Sequence, residues 1–304
     1  MCVKPLTPEY DQCVARLAEY TQAIASGRAP AITWLHRGGC LQSLRDLAGA
    51  VRDYSRALAR SDELSARELA QVYDSRCVCR RQLDDLAGAI ADGEQAVALA
   101  PRNARYHADL GFARLRAGDR AGALADLNRA LALDPQESWA LSYRGMCYQA
   151  LGDHEQAVAD FTHLLAIDPQ VSFYVFVSRA RSYMELDRFT EAIADCNLAA
   201  ERAGVALEDY RIYLLRGYCF LRMGDPGAAL GDLSRAIALE PDLAELYRWR
   251  GLAYQALGDA AAAADDFNQF VARHPFGAAH ALQELAAVLA APPAHAVPDL
   301  ALAA

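Results

Sequence analysis

Lysine is almost missing from this chain: of 30 basic residues, Lys4 alone is not arginine, and the formal net charge is −9. Such a balance does not suit a protein that neutralises a phosphate backbone, so nucleic acid is not expected as a partner. No apolar run is long enough to span a bilayer, so no membrane segment is expected. Met1 to Pro8 has no apolar core flanked by basic residues, so no secretory signal is expected.

Chemistry-bearing patterns are equally scarce. The histidines (His36, His107, His154, His163, His274, His280, His295) show neither H-E-x-x-H nor a paired Cys/His spacing. The cysteines (Cys2, Cys13, Cys40, Cys77, Cys79, Cys147, Cys196, Cys219) include no C-x-x-C pair. Several stand where a small residue packs, and a thiol there acts as a small hydrophobe. A reducing, cytoplasmic setting is the simplest expectation. No phosphate-cradling glycine loop and no G-x-S-x-G elbow occurs. Asp84-Asp85 and Asp265-Asp266 read as helix starts or solvated turns rather than acid–base pairs. We therefore expect no catalytic, cofactor or metal site, and not an enzyme.

What the chain does contain is repetition. Trp139 to Pro169 reads as two amphipathic helices joined at Leu151-Gly152-Asp153. Gly152 suits the left-handed position after the first helix, and Asp153 suits the N-cap of the second. Equivalents of Gly145 stand at Gly38, Cys77, Gly111, Ala180, Gly217 and Gly251, and three of the six steps are 34 residues. An alanine follows each by twelve residues: Ala50, Ala89, Ala123, Ala157, Ala192, Ala229 and Ala263. Small side chains at both places let paired helices approach closely. Five repeats end in proline (Pro101, Pro135, Pro169, Pro241, Pro275), and the two that do not are followed by the longer steps. A two-helix unit cannot bury its own apolar face, so it needs copies alongside.

These residues resemble the tetratricopeptide repeat, with its 34-residue period and W-x2-L-G-x2-Y…A-x3-F…P pattern. Departures are Arg80 and Arg114 at the tyrosine position and Gly93 at the phenylalanine position. The resemblance implies an all-α fold, a right-handed superhelical solenoid of about seven repeats with terminal capping helices. We place a capping helix in 1–30 and repeats at 31–64, 70–103, 104–137, 138–171, 173–206, 210–243 and 244–277. A second capping helix follows at 278–292, then a loose tail at 293–304. The charged stretch Ser61 to Glu68 lengthens a helix or loop, and the insertion after Ala200 bends the stack locally. Phe173 to Val177 is strand-like in composition, but the repeat register overrules it in favour of helix.

Six repeats carry arginine just before the small residue: Arg37, Arg76, Arg144, Arg179, Arg216 and Arg250. All seven carry aspartate three residues after the alanine: Asp53, Asp92, Asp126, Asp160, Asp195, Asp232 and Asp266. Facing helical stripes make these register-fixing ion pairs, so Asp160→Ala should lower the melting temperature and leave ligand affinity alone. Repeat three has Leu110 instead, with Arg114 one turn on to serve Asp126.

The resemblance further implies that each repeat's first helix lines a concave groove that holds a peptide or a partner's helix. Groove positions then include Arg105, Phe112, Trp139, Tyr143, Met146, Tyr174, Arg181, Arg211, Leu214, Tyr218, Arg248 and Trp249. Aromatics and arginine dominate interface energetics, although some of these rings pack between helices. Acidic residues on this face are fewer (Asp74, Asp109, Glu185, Glu245), which suits a partner with acidic and apolar residues. The lysine-and-asparagine clamp of chaperone-binding members is not matched: its positions hold Leu35, Gly39, Ser75, Arg105 and Asp109. The expected function is a non-catalytic adaptor or scaffold. The alternative is a structural or self-associating subunit of a multiprotein complex, and an RNA-binding helical repeat ranks third.

Overall fold

The computed structural model describes residues 8–204, 209–274 and 276–290. The expected tail at 293–304, Pro275, and the middle of the insertion after Ala200 lie outside the described residues. Among those described, all regular structure is helical. The chain divides into two compact bodies, residues 1–151 and 152–304.

The first body contains α1 (Pro8–Ala25), α2 (Ala31–Ser43), α3 (Leu47–Leu58), α4 (Ala66–Gln82), α5 (Leu86–Leu99), α6 (Ala104–Arg116), α7 (Arg120–Leu133) and α8 (Ser138–Leu151). The second contains α9 (His154–Ile167), α10 (Tyr174–Glu185), α11 (Phe189–Ala203), α12 (Tyr210–Arg222), α13 (Pro226–Leu239), α14 (Ala244–Ala256), α15 (Ala260–Arg273) and α16 (Ala278–Ala290). Within each body consecutive helices pair as antiparallel hairpins. The first helices of neighbouring hairpins also pack on one another (α2 on α4, α4 on α6, α6 on α8; α10 on α12, α12 on α14). Among the described residues, second helices pack less on the next than first helices do, so each stack is narrower on its first-helix side. That side is the inner wall.

Helix boundaries follow from local chemistry. Asp46, Asp85, Asp119, Asp225 and Asp259 each cap a second helix by accepting from the backbone N–H three residues on. Asp153 is an exception to our reading: it occupies the N-cap, but its side chain accepts no capping bond. The start of α9 rests on the backbone, with the Ala157 N–H donating to the Asp153 carbonyl at 3.1 Å. Ser61 to Glu68 forms a 3-10 turn and then a capping box between Ser65 and Glu68, which opens the 17-residue α4. Of the strand-like stretch Phe173 to Val177, Phe173 is the N-cap of α10 and the rest is its helical start.

Close approach sets the pairing within hairpins. A Cβ built on Gly251 would lie 2.5 Å from the Phe267 ring, and one on Gly38 would lie 2.6 Å from Tyr54. Repeats two and three break the pattern together. Gly93 stands where a large residue belongs, and a Cβ there would meet Leu110 at 3.1 Å. Leu110, the residue replacing arginine in repeat three, thus fills the space that repeat two leaves open. Its side chain is buried.

Candidate partner-binding inner wall

The wall of each body rests on a ladder of ion pairs. Arg37, Arg76, Arg179, Arg216 and Arg250 each donate through Nε and Nη2 to both oxygens of an aspartate sixteen residues on, at 2.6–2.8 Å. This planar fork matches the carboxylate. Arg114 pairs with Asp126 in repeat three, and Arg80 adds a second donor to Asp92 in repeat two at 2.9 Å. The two departures from the tyrosine position therefore both serve the ladder. The hydrogen bond to Asp232 holds the Arg216 guanidinium above its ordinary pKa.

The free Nη1 of these arginines does something the sequence reading missed. It reaches the preceding repeat, where Arg76 meets Ser55 at 3.0 Å, Arg179 meets Thr162 at 3.0 Å, and Arg216 meets Asn197 at 2.6 Å. Arg144 meets Asn128 at 2.8 Å and Arg250 meets Ser234 at 3.4 Å in the same way. Each acceptor stands two residues after the ladder aspartate, so a periodic Ser/Thr/Asn at that offset was the available signal.

On the wall of the first body, Trp139 is 49% exposed, and the Arg105 guanidinium lies over its ring at 4.7 Å. Arg105 Nε donates to Asp109 Oδ2 at 2.6 Å. Phe112 stacks on Tyr143 with centroids 4.0 Å apart, and Tyr143 is buried. Met146 is half-buried. Sequence reasoning passed over Arg81, although it stands at a groove position. Its buried guanidinium covers Phe112 at 4.4 Å and donates to Asp109 at 3.3 Å. Asp74 Oδ1 is shielded and unpaired. Burial first, then the neighbouring Asp109 charge, pushes the Asp74 carboxyl up to about 8 against the pull of Arg105 and Arg81.

On the wall of the second body, Tyr174 is 47% exposed, and the Arg211 guanidinium lies over its ring at 5.0 Å. Arg211 Nη2 donates to Asp209 at 2.6 Å. Arg181 is half-buried. Leu214, Tyr218, Arg248 and Trp249 are buried. Tyr218 meets the Trp249 ring edge-on at 4.9 Å, Trp249 Nε1 donates to Glu245, and Arg248 pairs with Glu245. These four are packing residues, as Tyr143 is in the first body. What stays open on the two walls is aromatic surface centred on Trp139 and Tyr174. Arg105, Arg211 and Arg248 have carboxylate partners within the chain.

Two of the buried thiols are poor nucleophiles. Burial pushes Cys79 and Cys219 up to about 12, so neither is a thiolate at neutral pH. Among the described residues, no group of three or more His, Cys, Asp and Glu side chains could hold a metal ion. No described helix is long and apolar enough to cross a membrane.

Comparison with known proteins agrees with this architecture. One tetratricopeptide repeat model matches residues 114–175, and a second matches 177–230 and 214–278. No curated protein matches. Among solved structures, the APC/C hetero-tetramer Cut9–Hcn1 is similar with a TM-score of 0.69 at 16% identity, over 81% of this chain. The match spans only 46% of that chain. A tetratricopeptide repeat protein from Parabacteroides merdae is similar with a TM-score of 0.60 at 18% identity, over 84% of this chain and 98% of that one. YrrB, described as a repeat protein with an unusual peptide-binding site, gives a TM-score of 0.52 at 18% identity, over 63% of this chain and 97% of that one.

Proposed function

This chain belongs to the tetratricopeptide repeat family, and from that premise we propose that it is a non-catalytic adaptor holding a partner's peptide segment or helix against the first-helix wall of each body. Repeats of this family suggest protein interaction, and the family is typically non-catalytic. The observation that carries the reading is the exposure of Trp139 and Tyr174, each beneath an arginine already neutralised inside the chain. A ring flanked in this way offers large contact area at little desolvation cost, which is how interface anchors work. That YrrB is described as having a peptide-binding site supports the same use of the fold. Apolar residues of the partner seat on these rings, and the adaptor works in the cytoplasm.

The test is an affinity measurement on a partner recovered with the wild-type protein. Trp139→Ala with Tyr174→Ala should weaken binding by about 2 kcal/mol, roughly thirtyfold. Unchanged affinity would remove the inner wall from the reading. A second reading, a self-associating structural subunit, draws on exposed apolar residues near the end of the second body, Phe276 (77% exposed) and Leu282. Light scattering that gives a fixed oligomer, dissolved by Phe276→Ser, would favour it.

A further inference from the structure

The N-terminal helix α1 sits lightly on the first body. It packs chiefly on α2, and none of its described side chains is buried. Two contacts orient it: Tyr20 meets the His36 ring at 5.7 Å, and Arg37 Nη1 donates to Thr21 Oγ1 at 3.4 Å. The second contact uses the same Nη1 that reaches the preceding repeat elsewhere in the ladder, so α1 stands in for a repeat. An element with so few buried contacts opens at low cost.

Two free thiols meet at this interface. Cys13 of α1 is half-buried, and Cys40 of α2 is buried. Both line a cavity of about 690 Å³ that opens between α1, α2 and α4, so a small reagent has a way in. Burial raises the pKa of Cys40, and Cys13 is near enough to raise it further by charge and hydrogen bonding. Arg16, in the same lining, pulls it back. Cys196 and Cys219 also lie near one another, but both are fully buried, and burial pushes Cys219 up to about 12. Of these two pairs, the first alone combines proximity with access, and access together with thiolate character decides which cysteines oxidise.

We propose that Cys13 and Cys40 form a reversible disulfide that latches α1 onto α2, made by exchange with a low-molecular-weight disulfide RS–SR. Cys13, the more open thiol, gives its proton to solvent, and its sulfur attacks one sulfur of the reagent. A mixed disulfide forms, and RS⁻ leaves. Cys40, deprotonated in turn, attacks the Cys13 sulfur and expels the second RS⁻. The two leaving thiolates take up the two protons, so the protein is oxidised by two electrons and the reagent is reduced to two RSH. In a reducing cytoplasm such a bond is transient and reports oxidation. The closed latch keeps the N-terminal end of the first body covered; the reduced form lets α1 lift from it. Neither Trp139 nor Tyr174 takes part, so the latch adds a control to the adaptor and can fail without it.

The test treats the full chain with oxidised glutathione, digests it with trypsin without reductant, and maps the peptides by mass spectrometry. Cys40 lies in the peptide Gly38–Arg45, and Cys13 shares its peptide, which ends at Arg16, with Cys2. A link between these two peptides should form in wild type and in Cys2→Ser, vanish with dithiothreitol, and be absent from Cys13→Ser. Hydrogen exchange of the α1 amides should slow about tenfold on oxidation of wild type and not change in Cys13→Ser. Cys13 is half-exposed, so Cys13→Ser should fold; if it melts early, Cys13→Ala carries the same expectation. Glutathione left on Cys13 with no link, a link from Cys40 to another cysteine, or no reaction at all would overturn the proposal. A Cys13–Cys40 link that leaves α1 exchange unchanged would overturn the latch.

Discussion

At the scale of single residues, the arginine–aspartate ladder makes the sharpest statements. Asp195 and Arg179 are both largely buried and share two hydrogen bonds, so removing one partner leaves the other charge uncompensated. Asp195→Ala should destabilise the protein by about 3 kcal/mol in thermal or urea melts, with partner affinity unchanged in the folded protein. Asp74 predicts a pH effect of definite sign. Its native pKa of about 8 lies above the unfolded value for aspartate, so the native state binds the extra proton between roughly pH 4 and 8. This contribution favours folding below pH 4 to 5 and is lost as pH rises through 8. Asp74→Asn should therefore gain stability relative to wild type at pH 8.5 and gain little at pH 5. An equal difference at both pH values would mean that Asp74 is ionised in the native state.

At the scale of elements, the turns between paired helices place three non-glycine residues in left-handed backbone: Arg45 (φ 67°), Asp84 (φ 64°) and Asp187 (φ 56°). Their counterparts in the other repeats are Gly118, Gly152, Gly224 and Gly258. Each of the three reaches the next repeat, Arg45 to Gln82, Asp84 to Arg116 and Asp187 to Arg222. Asp84 is highly exposed and its ion pair is long, so that contact contributes little. Relief of the backbone should dominate, and Asp84→Gly should raise stability by about 1 kcal/mol. The Gly93–Leu110 exchange gives a second element-level expectation. Gly93→Phe alone should destabilise by about 1–3 kcal/mol, since Leu110 already fills the site. Adding Leu110→Arg should recover part of that loss, a coupling readable in a double-mutant cycle.

At the scale of the whole molecule, the all-helical repeat fold was legible in the sequence because its signals are local and recur: the small residues in all seven repeats and the closing proline in five. The ladder was legible for a similar reason: Arg37 and Asp53 face each other only in a helical hairpin, and their copies recur in register. The inner wall was read less well. Position along a helix says which way Tyr143, Leu214, Tyr218 and Trp249 point, but burial depends on how closely the neighbouring first helix approaches, and that distance is not written in any one repeat. Arg81 was missed for the converse reason. An arginine at a groove position reads as exposed unless the sequence also reveals Asp109, Phe112 and Tyr143 closing over it.

The central claim is that this protein meets its partner on the first-helix wall. A photo-cross-linking side chain placed at Trp139, compared with one at the exposed Arg129 on the second helix α7, tests it most directly. Irradiation of each variant with the bound partner should give a covalent adduct from position 139 and none from 129. Adducts from 129 with none from 139 would contradict the account and move the binding surface to the outer helices.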